Sequence, residues 1–334
     1  LCRPKLPLAA GQADETCGQW RVLPIGIPDE SVASVGPTHE WFDERAAAVL
    51  IAPRRSDSHK GTYGHLLAIA GGTGKSGAGS LVGDGALRAG AGLVTVAAPE
   101  PARTEIAIRR AELMTEPLPE LPDGGWSEDA AAVIRSLLAE RDALAIGPGV
   151  GTRPGTFAAV LAVLETTERP AIADADALNA LADRGGETLA RIGAAGPRVL
   201  TPHPGEAARL LGTSVPEVQA DRARATRELA RASGAVVVLK GHRSVIARPD
   251  GRTAFNATGN PAMAAGGAGD VLTGVIGAML ARGMTPWDAA RLGVFAHGRA
   301  GDLAAAAIGS AGVLAGEIAE ALPQALAPAR PGGA

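Results

Sequence analysis

A glycine-rich stretch that leads into an apolar helix is the part of the sequence best suited to phosphate chemistry. It covers residues 256–274, and its centre reads Gly266-Gly-Ala-Gly-Asp270. Glycine lets the backbone turn tightly and brings its N–H groups close to a ligand. Free N–H groups and the positive end of a helix dipole together bind anions. The stretch therefore predicts an anion hole, which would be formed by Gly266, Gly267, Ala268 and Gly269.

Asp270 places a carboxylate at the start of that predicted helix. A carboxylate would repel a resting phosphate, but it can take the proton from a hydroxyl group that attacks the phosphate. The alternative is a simple N-terminal cap, which does not need glycines around it. We therefore predict that Asp270 is the general base of a phosphoryl transfer.

Short apolar runs alternate with helical patterns over most of the chain. Such alternation predicts an α/β fold with a mostly parallel sheet that is covered by helices on both faces. Strands are predicted at 65–70, 93–97, 143–146, 171–174, 198–201 and 235–240, with a hairpin at 245–255. A further strand, broken by Pro24, is predicted at 20–27, and a helix is predicted at about 216–233. Parallel sheets bind ligands beyond the carboxyl ends of their strands. Polar and glycine-rich clusters follow the strands and predict one site built from many loops, at 71–79, 147–151, 174–179, 201–206, 240–244 and 256–270.

Three acidic residues in these clusters are candidates for binding Mg²⁺, which prefers oxygen ligands. Asp174 and Asp176 follow one predicted strand, and Glu206 follows the next. Each has a simpler interpretation, because a carboxylate at a helix start also serves as a cap. His203 lies between two prolines that fix its backbone, and it is a candidate for contact with a substrate hydroxyl or amide. The alternative for His203 is a surface side chain without a ligand.

A basic turn, Lys240-Gly-His-Arg-Ser244, ends the most apolar predicted strand. Lys, His and Arg together predict contact with a nucleotide or its phosphates, whereas a hairpin turn would explain only the glycine. The nucleotide-contacting residues would be Lys240, Gly241, His242, Arg243 and Ser244. The glycine-rich turns at 71–77 and 147–151 can also approach a ligand closely. The first of them is not a P-loop, because Ile69 stands where that motif requires glycine.

The composition argues against several classes of partner. The chain has 334 residues, of which 46% are hydrophobic and 20% charged, with a net charge of −3. This charge predicts no nucleic-acid or anionic-membrane partner. Two cysteines cannot build a disulfide framework, which favours a reducing cytoplasm. The sequence has no apolar run as long as a membrane-spanning helix.

Taken together, the motifs resemble the ADP/ATP-dependent NAD(P)H-hydrate dehydratases of the ribokinase-like superfamily. The resemblance covers about residues 40–326, and it implies a three-layer α/β/α domain at 36–326 with a mostly parallel central sheet. Ala262 and Ala265 stand where this family often has Gly and Thr. The motifs that carry the resemblance are His59-Lys-Gly-Thr-Tyr-Gly64, Gly71–Ala78, Gly147-Pro-Gly149, Asp174-Ala-Asp-Ala-Leu178, Leu200-Thr-Pro-His-Pro-Gly-Glu206, Leu239-Lys-Gly241 and Asn256–Asp270.

The resemblance implies a repair reaction with Mg²⁺ and ADP or ATP. The hydroxyl of hydrated NADH or NADPH (NADHX, NADPHX) would be phosphorylated, and loss of phosphate would restore the cofactor. The matching positions imply that Ala78, Val150, His203 and Asp270 line the hydrated ring. Gly269 would join Lys240–Ser244 at the adenine nucleotide. The family also implies a homo-oligomer, a tetramer, that is functionally paired with NAD(P)H-hydrate epimerase.

The two ends of the chain are predicted to lie outside the catalytic domain. Residues 1–30 resemble the C-terminal end of an epimerase domain, so residues 1–35 are interpreted as a remnant of that domain with a linker. A remnant of this length cannot form the epimerase domain, and we predict no epimerase activity for this chain. Residues 327–334 are rich in Pro, Ala and Gly and are predicted to be a disordered tail.

Two other functions share some of these features. A ribokinase-like kinase of a vitamin precursor, such as hydroxyethylthiazole or a hydroxymethylpyrimidine, would use the same glycine turn but release a stable phosphorylated product. A nucleotide-binding sensor would keep the pocket without turnover. The motifs around His59 and His203 favour the dehydratase over the kinase, and the carboxylate of Asp270 argues against the sensor.

Overall fold

The computed structural model describes residues 5–10, 17, 22–23, 25–36 and 38–327. The predicted tail at 327–334 lies outside these residues apart from Ala327, as does much of the predicted remnant at 1–35. Among the helices of the described residues, none is long and apolar enough to cross a membrane.

The described strands form one ten-stranded sheet in the order β1-β10-β9-β8-β7-β6-β5-β2-β3-β4. Neighbouring strands are parallel except at β9, which runs antiparallel to β8 and to β10. The mostly parallel sheet and the predicted hairpin are thereby confirmed. The strands are β1 His39–Phe42, β2 His65–Ile69, β3 Leu93–Pro99, β4 Met114–Leu118, β5 Ala143–Ile146, β6 Ala171–Ala173, β7 Arg198–Leu200, β8 Val236–Leu239, β9 Val245–Ala247 and β10 Thr253–Asn256.

Helices connect most of the strands. Short 3₁₀ turns occur at Lys60–Tyr63 and Pro261–Met263. The described α-helices are Leu6–Ala9, Asp29–Ser34, Glu44–Leu50, Ser76–Arg88, Glu100–Arg109, Ala130–Ala139, Pro154–Leu164, Asp176–Arg184, Gly186–Ala195, Pro204–Leu211, Val215–Ala220, Arg222–Ser233, Ala268–Ala281, Pro286–Ile308 and Ala315–Ala325.

The hydrophobic core lies on both faces of the sheet. Along β2, Leu66 belongs to one apolar cluster and the next residue, Leu67, belongs to the other. Successive side chains of a strand point to opposite faces, so a strand that is buried on both sides alternates in this way. The Ala268–Ala281 helix packs against the Ser76–Arg88 helix in the first cluster. Helices therefore cover both faces, as the three-layer prediction requires.

The two edge strands, β1 and β4, are not predicted by the sequence pattern. β1 contains His39 and Glu40, and β4 contains Glu116 and Pro117, so neither reads as an apolar run. Edge strands tolerate charged residues and proline because one side of their backbone does not join the hydrogen-bond ladder. The apolar pattern therefore identifies the central strands better than the edges.

Two local predictions are wrong. The strand predicted at 20–27 is absent from the described residues there, where Val22, Leu23 and Ile25 are exposed and have no strand structure. The helix predicted at about 216–233 is two helices, because the chain bends at Asp221. The Asp221 carboxylate accepts a hydrogen bond from the N–H of Arg224, 2.9 Å away, and so caps the second helix.

Candidate active site

The loops that follow β2 and β5 meet at the carboxyl edge of the sheet. A Cβ on Gly72 would lie 2.9 Å from the carbonyl oxygen of Gly149, and a Cβ on Gly149 would lie 2.9 Å from the Ala78 side chain. The two glycine-rich turns therefore pack directly on one another. Val150 is buried beside them, whereas Ala78 is half-buried. Glycine is required here because the backbones approach so closely.

Gly147→Ala is expected to destabilise the fold by about 3 kcal/mol, because steric overlap and an unfavourable backbone conformation add together. Gly147 has φ 129°, and an added Cβ would collide with the carbonyl oxygen of Asp174. Gly151→Ala is the matched control: Gly151 also has a positive φ, of 90°, but an added Cβ there would meet no atom within 4 Å. Urea unfolding should give the larger loss for Gly147→Ala, and equal losses would contradict the steric cause.

Asp174 lies buried after the end of β6, and its carboxylate accepts three hydrogen bonds. Its Oδ1 accepts from Lys240 Nζ at 2.6 Å and from the Ala175 N–H at 2.8 Å. Its Oδ2 accepts from Thr273 Oγ1 at 2.8 Å, which ties β6 to the Ala268–Ala281 helix. Burial alone would lower the pKa of Lys240, but the carboxylates of Asp174 and Glu206 outweigh it, so the pKa is raised. Lys240 is therefore a positively charged side chain held inside the site.

Asp270 stands in the first turn of the Ala268–Ala281 helix, which begins directly after Gly267, a residue with φ 88°. Its carboxylate accepts no hydrogen bond from the described residues, so it does not act as a cap here. Burial and the charge of Asp174 raise the pKa of Asp270 to about 7, although the positive charge of Lys240 lowers it. A carboxylate with this pKa is suited to take a proton near neutral pH.

Gly269, in the first turn of the same helix, lies close to the ion pair of Lys240 and Asp174. A Cβ on Gly269 would lie 3.5 Å from Lys240 Nζ and 3.8 Å from Asp174 Oδ2. The predicted anion hole therefore has a fixed ammonium group beside its backbone N–H groups. A developing negative charge at this point would be stabilised by both.

His203 and Glu206 cap the Pro204–Leu211 helix together. His203 Nδ1 accepts hydrogen bonds from the N–H groups of Gly205 and Glu206, at 3.0 and 3.2 Å. Glu206 Oε2 accepts from the N–H of His203 at 2.7 Å. Burial and the charges of Lys240 and Arg209 lower the pKa of His203. The neutral ring therefore carries its proton on Nε2, which lies 3.4 Å from Glu206 Oε1, and the capping interpretation of Glu206 accounts for its other oxygen.

The acidic residues that were candidates for Mg²⁺ are already engaged by protein groups. Asp176 accepts from the Gly151 N–H at 2.9 Å and from Asn179 Nδ2 at 3.2 Å, and Lys75 Nζ lies 3.8 Å away. Asp174 and Glu206 have the donors described above. Within the described ranges, no group of three or more His, Cys, Asp or Glu side chains could hold a metal ion. Binding of Mg²⁺ by Asp174, Asp176 or Glu206 therefore stays a prediction.

The basic turn after β8 borders a cavity of about 420 Å³. Residues 241–244 form one wall, and the loop from Asn256 to Ala264 forms another. Lys240, which was grouped with this turn, points instead to Asp174. Arg243 has φ 48°, and its guanidinium donates to the Leu8 carbonyl oxygen and lies over the Trp41 ring, 5.3 Å from its centroid. The turn thus borders the cavity, but the side chains of Lys240 and Arg243 contact other parts of the protein.

The Pro286–Ile308 helix contributes residues that the sequence patterns did not single out. Asp302 accepts hydrogen bonds from the Gly259 N–H at 3.1 Å and from Asn260 Nδ2 at 2.8 Å, so it anchors the loop that lines the cavity. His297 lies one turn earlier on the same helix and lines the cavity itself. The run His297-Gly-Arg-Ala-Gly-Asp302 could have indicated this role, because two glycines within a helix suggest close packing by another segment.

Comparisons with known proteins agree with one another. Residues 66–324 match the family model described as NAD(P)H-hydrate dehydratase. The chain is 44% identical over 323 residues to the bifunctional NAD(P)H-hydrate repair enzyme Nnr of Moorella thermoacetica, a match that covers 97% of this chain and 60% of that protein. It is 42% identical over 275 residues to the ADP-dependent (S)-NAD(P)H-hydrate dehydratase of Neisseria meningitidis, covering 80% of this chain and 86% of that protein.

A solved structure has the same fold. The ADP/ATP-dependent NAD(P)H-hydrate dehydratase from Bacillus subtilis, co-crystallised with ATP and Mg²⁺, superposes with a TM-score of 0.72 at 34% identity. The superposition covers 86% of this chain and 97% of that one. The chain spans 60% of the length of the bifunctional Moorella relative.

Proposed function

This chain belongs to the NAD(P)H-hydrate dehydratase family, and from that premise we propose that it restores NADH and NADPH from their (6S)-hydrates at the expense of ADP or ATP. The observation that carries the proposal is Asp270. It is a carboxylate without a hydrogen-bond donor among the described residues, placed at a glycine-rich helix start beside the ammonium group of Lys240. That arrangement suits removal of a hydroxyl proton during phosphoryl transfer.

In the first step, Asp270 takes the proton of the ring hydroxyl while that oxygen attacks the terminal phosphorus of the nucleotide. A new O–P bond forms, and the bond between that phosphorus and the rest of the nucleotide breaks. Backbone N–H groups of residues 266–269 and the ammonium of Lys240 stabilise the charge on the transferring group. Mg²⁺ that enters with the nucleotide would supply further charge neutralisation, because that ion prefers oxygen ligands such as phosphate and water.

The second step is elimination from the phosphorylated ring. Electrons from the ring nitrogen expel phosphate, so the C–O bond to the former hydroxyl breaks. The neighbouring ring carbon loses a proton, which leaves with the phosphate as hydrogen phosphate, and the ring double bond is restored. Phosphate is a much better leaving group than hydroxide, so prior phosphorylation makes the elimination accessible.

The proposed substrate site is formed by the packed glycine turns together with His203. Ala78 and Val150 flank those turns, and the Nε2–H of His203 is a candidate donor to the substrate. The proposed nucleotide site is the cavity bordered by residues 241–244 and Gly259. Gly269 and Asp270 would lie between the two, where the phosphoryl group is transferred.

The origin of the N-terminal residues, the cellular location and the oligomeric state are proposed from the relatives of this chain. The match to the Moorella protein extends over 97% of this chain, beyond the dehydratase model that begins at residue 66. This supports the proposal that residues 1–35 correspond to the end of an epimerase domain. We also propose a cytoplasmic homo-oligomer, a tetramer, that works with an NAD(P)H-hydrate epimerase.

The proposal is tested by incubating the protein with NADH hydrate, Mg²⁺ and either ADP or ATP. Recovery of the absorbance of reduced nicotinamide, with one phosphate released per NADH formed, is the expected result. A stable phosphorylated product without NADH would indicate a kinase. Binding of nucleotide without any turnover would indicate a sensor. Either outcome contradicts the dehydratase proposal.

A further inference from the structure

Residues 59–64 form a motif that the chemistry above does not use. The motif ends directly before β2, so it lies at the amino end of that strand, whereas the active site lies at the carboxyl edge of the sheet. A Cβ on Gly64 would collide with the carbonyl oxygen of Ala281, the last residue of the Ala268–Ala281 helix. The close approach that glycine allows therefore packs the motif against the end of this helix that is remote from Asp270.

Two guanidinium groups converge beside the aromatic ring of this motif. The guanidinium of Arg54 lies 4.0 Å from the centroid of the Tyr63 ring, and that of Arg282 lies 5.9 Å from the same centroid. A Cβ on Gly90 would lie 3.0 Å from Arg54 Nη2 and 3.8 Å from Arg282 Nη1. The two positively charged groups therefore face one small space, which glycine leaves open.

This arginine pair, Arg54 and Arg282, has no carboxylate within ion-pair distance among the described residues. Arg54 Nη2 donates to the carbonyl oxygen of Gly90 at 2.9 Å, and Arg282 Nη1 donates to that of Ala89 at 3.4 Å. Both acceptors are uncharged. Burial and the charge of Arg54 lower the pKa of Arg282. The two like charges repel each other, and an anion between them would remove that cost.

The arginine pair borders a cavity of about 530 Å³, a volume typical of small-molecule sites. Its other walls are mainly apolar and include Leu50, Leu87 and Leu326. Among the described residues that line it, Arg88 is the remaining charged one, and it already pairs with Glu320 at 2.5 Å. An inorganic anion would gain nothing from the apolar walls, whereas an anion with an apolar chain would also bury that chain.

We propose that this cavity binds a small aliphatic carboxylate, with its carboxylate group between Arg54 and Arg282 and its chain against the apolar wall. The planar guanidinium group matches the geometry of a carboxylate and donates charge-assisted hydrogen bonds to it. Arg282 directly follows the Ala268–Ala281 helix, and Asp270 lies about 18 Å away from it along the helix axis. The site is therefore distinct from the active site.

Octanoate, titrated calorimetrically into the full chain, is the probe for this site. We expect Arg54→Met and Arg282→Met each to weaken octanoate binding by about 10- to 100-fold, the usual effect of a charge-assisted hydrogen bond. Arg88→Met is the matched control, because Arg88 lines the same cavity but its charge is engaged by Glu320. Its affinity for octanoate should change by less than about 3-fold. Wild-type affinity in either Arg54→Met or Arg282→Met would overturn the proposal.

Three further probes test the unmodified protein, so the folding of a variant does not matter. 1-Octanol keeps the apolar chain without the charge, and acetate and inorganic phosphate are anions without the chain. Each should bind at least about 10-fold more weakly than octanoate. Equal binding of 1-octanol would indicate a purely apolar cavity, and equal binding of acetate or phosphate a plain anion site. Either result, or no binding of octanoate at about 10 mM, contradicts the proposal. These titrations do not involve the dehydratase reaction, so they succeed or fail independently of it.

Discussion

Asp270→Asn is expected to lower kcat for NADH recovery by about 10²- to 10⁴-fold, the contribution typical of a positioned general base. Asn keeps the size of the side chain but cannot take the hydroxyl proton. The Kd for ADP should stay close to the wild-type value or fall, because a negative charge near the phosphates is removed. Turnover assays and calorimetry measure the two effects. Asp183→Asn is the control, since Asp183 is exposed in the Asp176–Arg184 helix. Near-normal turnover of Asp270→Asn would exclude Asp270 as the base.

The pH dependence of the wild type follows from the same carboxylate. With its pKa raised to about 7 by burial and by Asp174, Asp270 becomes an active base only as the pH rises through about 7. The kcat/KM of the wild type should therefore increase over this range and then level off. The Asp270→Asn variant should lack this rise.

The same raised pKa predicts that Asp270 costs stability. Its pKa is about 7 in the folded protein, against the ordinary value of 3.8. Between these values the unfolded chain has lost the proton that the folded protein keeps, so folding becomes less favourable as the pH increases. Asp270→Asn should therefore gain about 1–3 kcal/mol over the wild type between pH 4 and 7, after allowance for partial exposure. Urea unfolding at several pH values measures the difference.

Lys240→Met is expected to destabilise the fold by about 3–5 kcal/mol, the cost typical of removing one partner from a buried ion pair. The substitution leaves Asp174, which is 1% exposed, without its cation. It also removes the charge that lowers the pKa of Asp270, so the activity of any folded variant should require a higher pH. Urea unfolding and a pH–rate profile measure the two effects.

Lys75→Met provides the matched control for Lys240→Met. Lys75 Nζ lies 3.8 Å from Asp176, and its side chain is 56% exposed. Exposed ion pairs contribute little, so the free energy of unfolding should change by less than about 1 kcal/mol. If both lysine variants lost the same stability, the buried Asp174–Lys240 pair would have no special role.

The sequence predicted the central strands and the loops of the site because both have local signals. Alternating apolar runs identified β2, β5 and β8, and glycine clusters marked the turns that pack against one another. The edge strands β1 and β4 lacked such signals because edges tolerate polar residues and proline.

The partners of the buried charges could not be predicted in the same way. Lys240 belongs by sequence to a basic turn, but its side chain reaches Asp174, which is 66 positions away in the chain. That pairing depends on β6 and β8 both bordering β7, which no local pattern shows. His297 was missed for a related reason, since a histidine in an apolar helix gives no sign of the loop that packs against it.

The central claim is that the ring hydroxyl is phosphorylated before it leaves, and an isotope label tests it directly. NADH hydrate labelled with ¹⁸O at the ring hydroxyl would be converted with ADP or ATP and Mg²⁺, and the released phosphate analysed by mass spectrometry. Phosphorylation of the hydroxyl predicts one ¹⁸O atom in each phosphate formed. Unlabelled phosphate, with the ¹⁸O found in water, would contradict the claim.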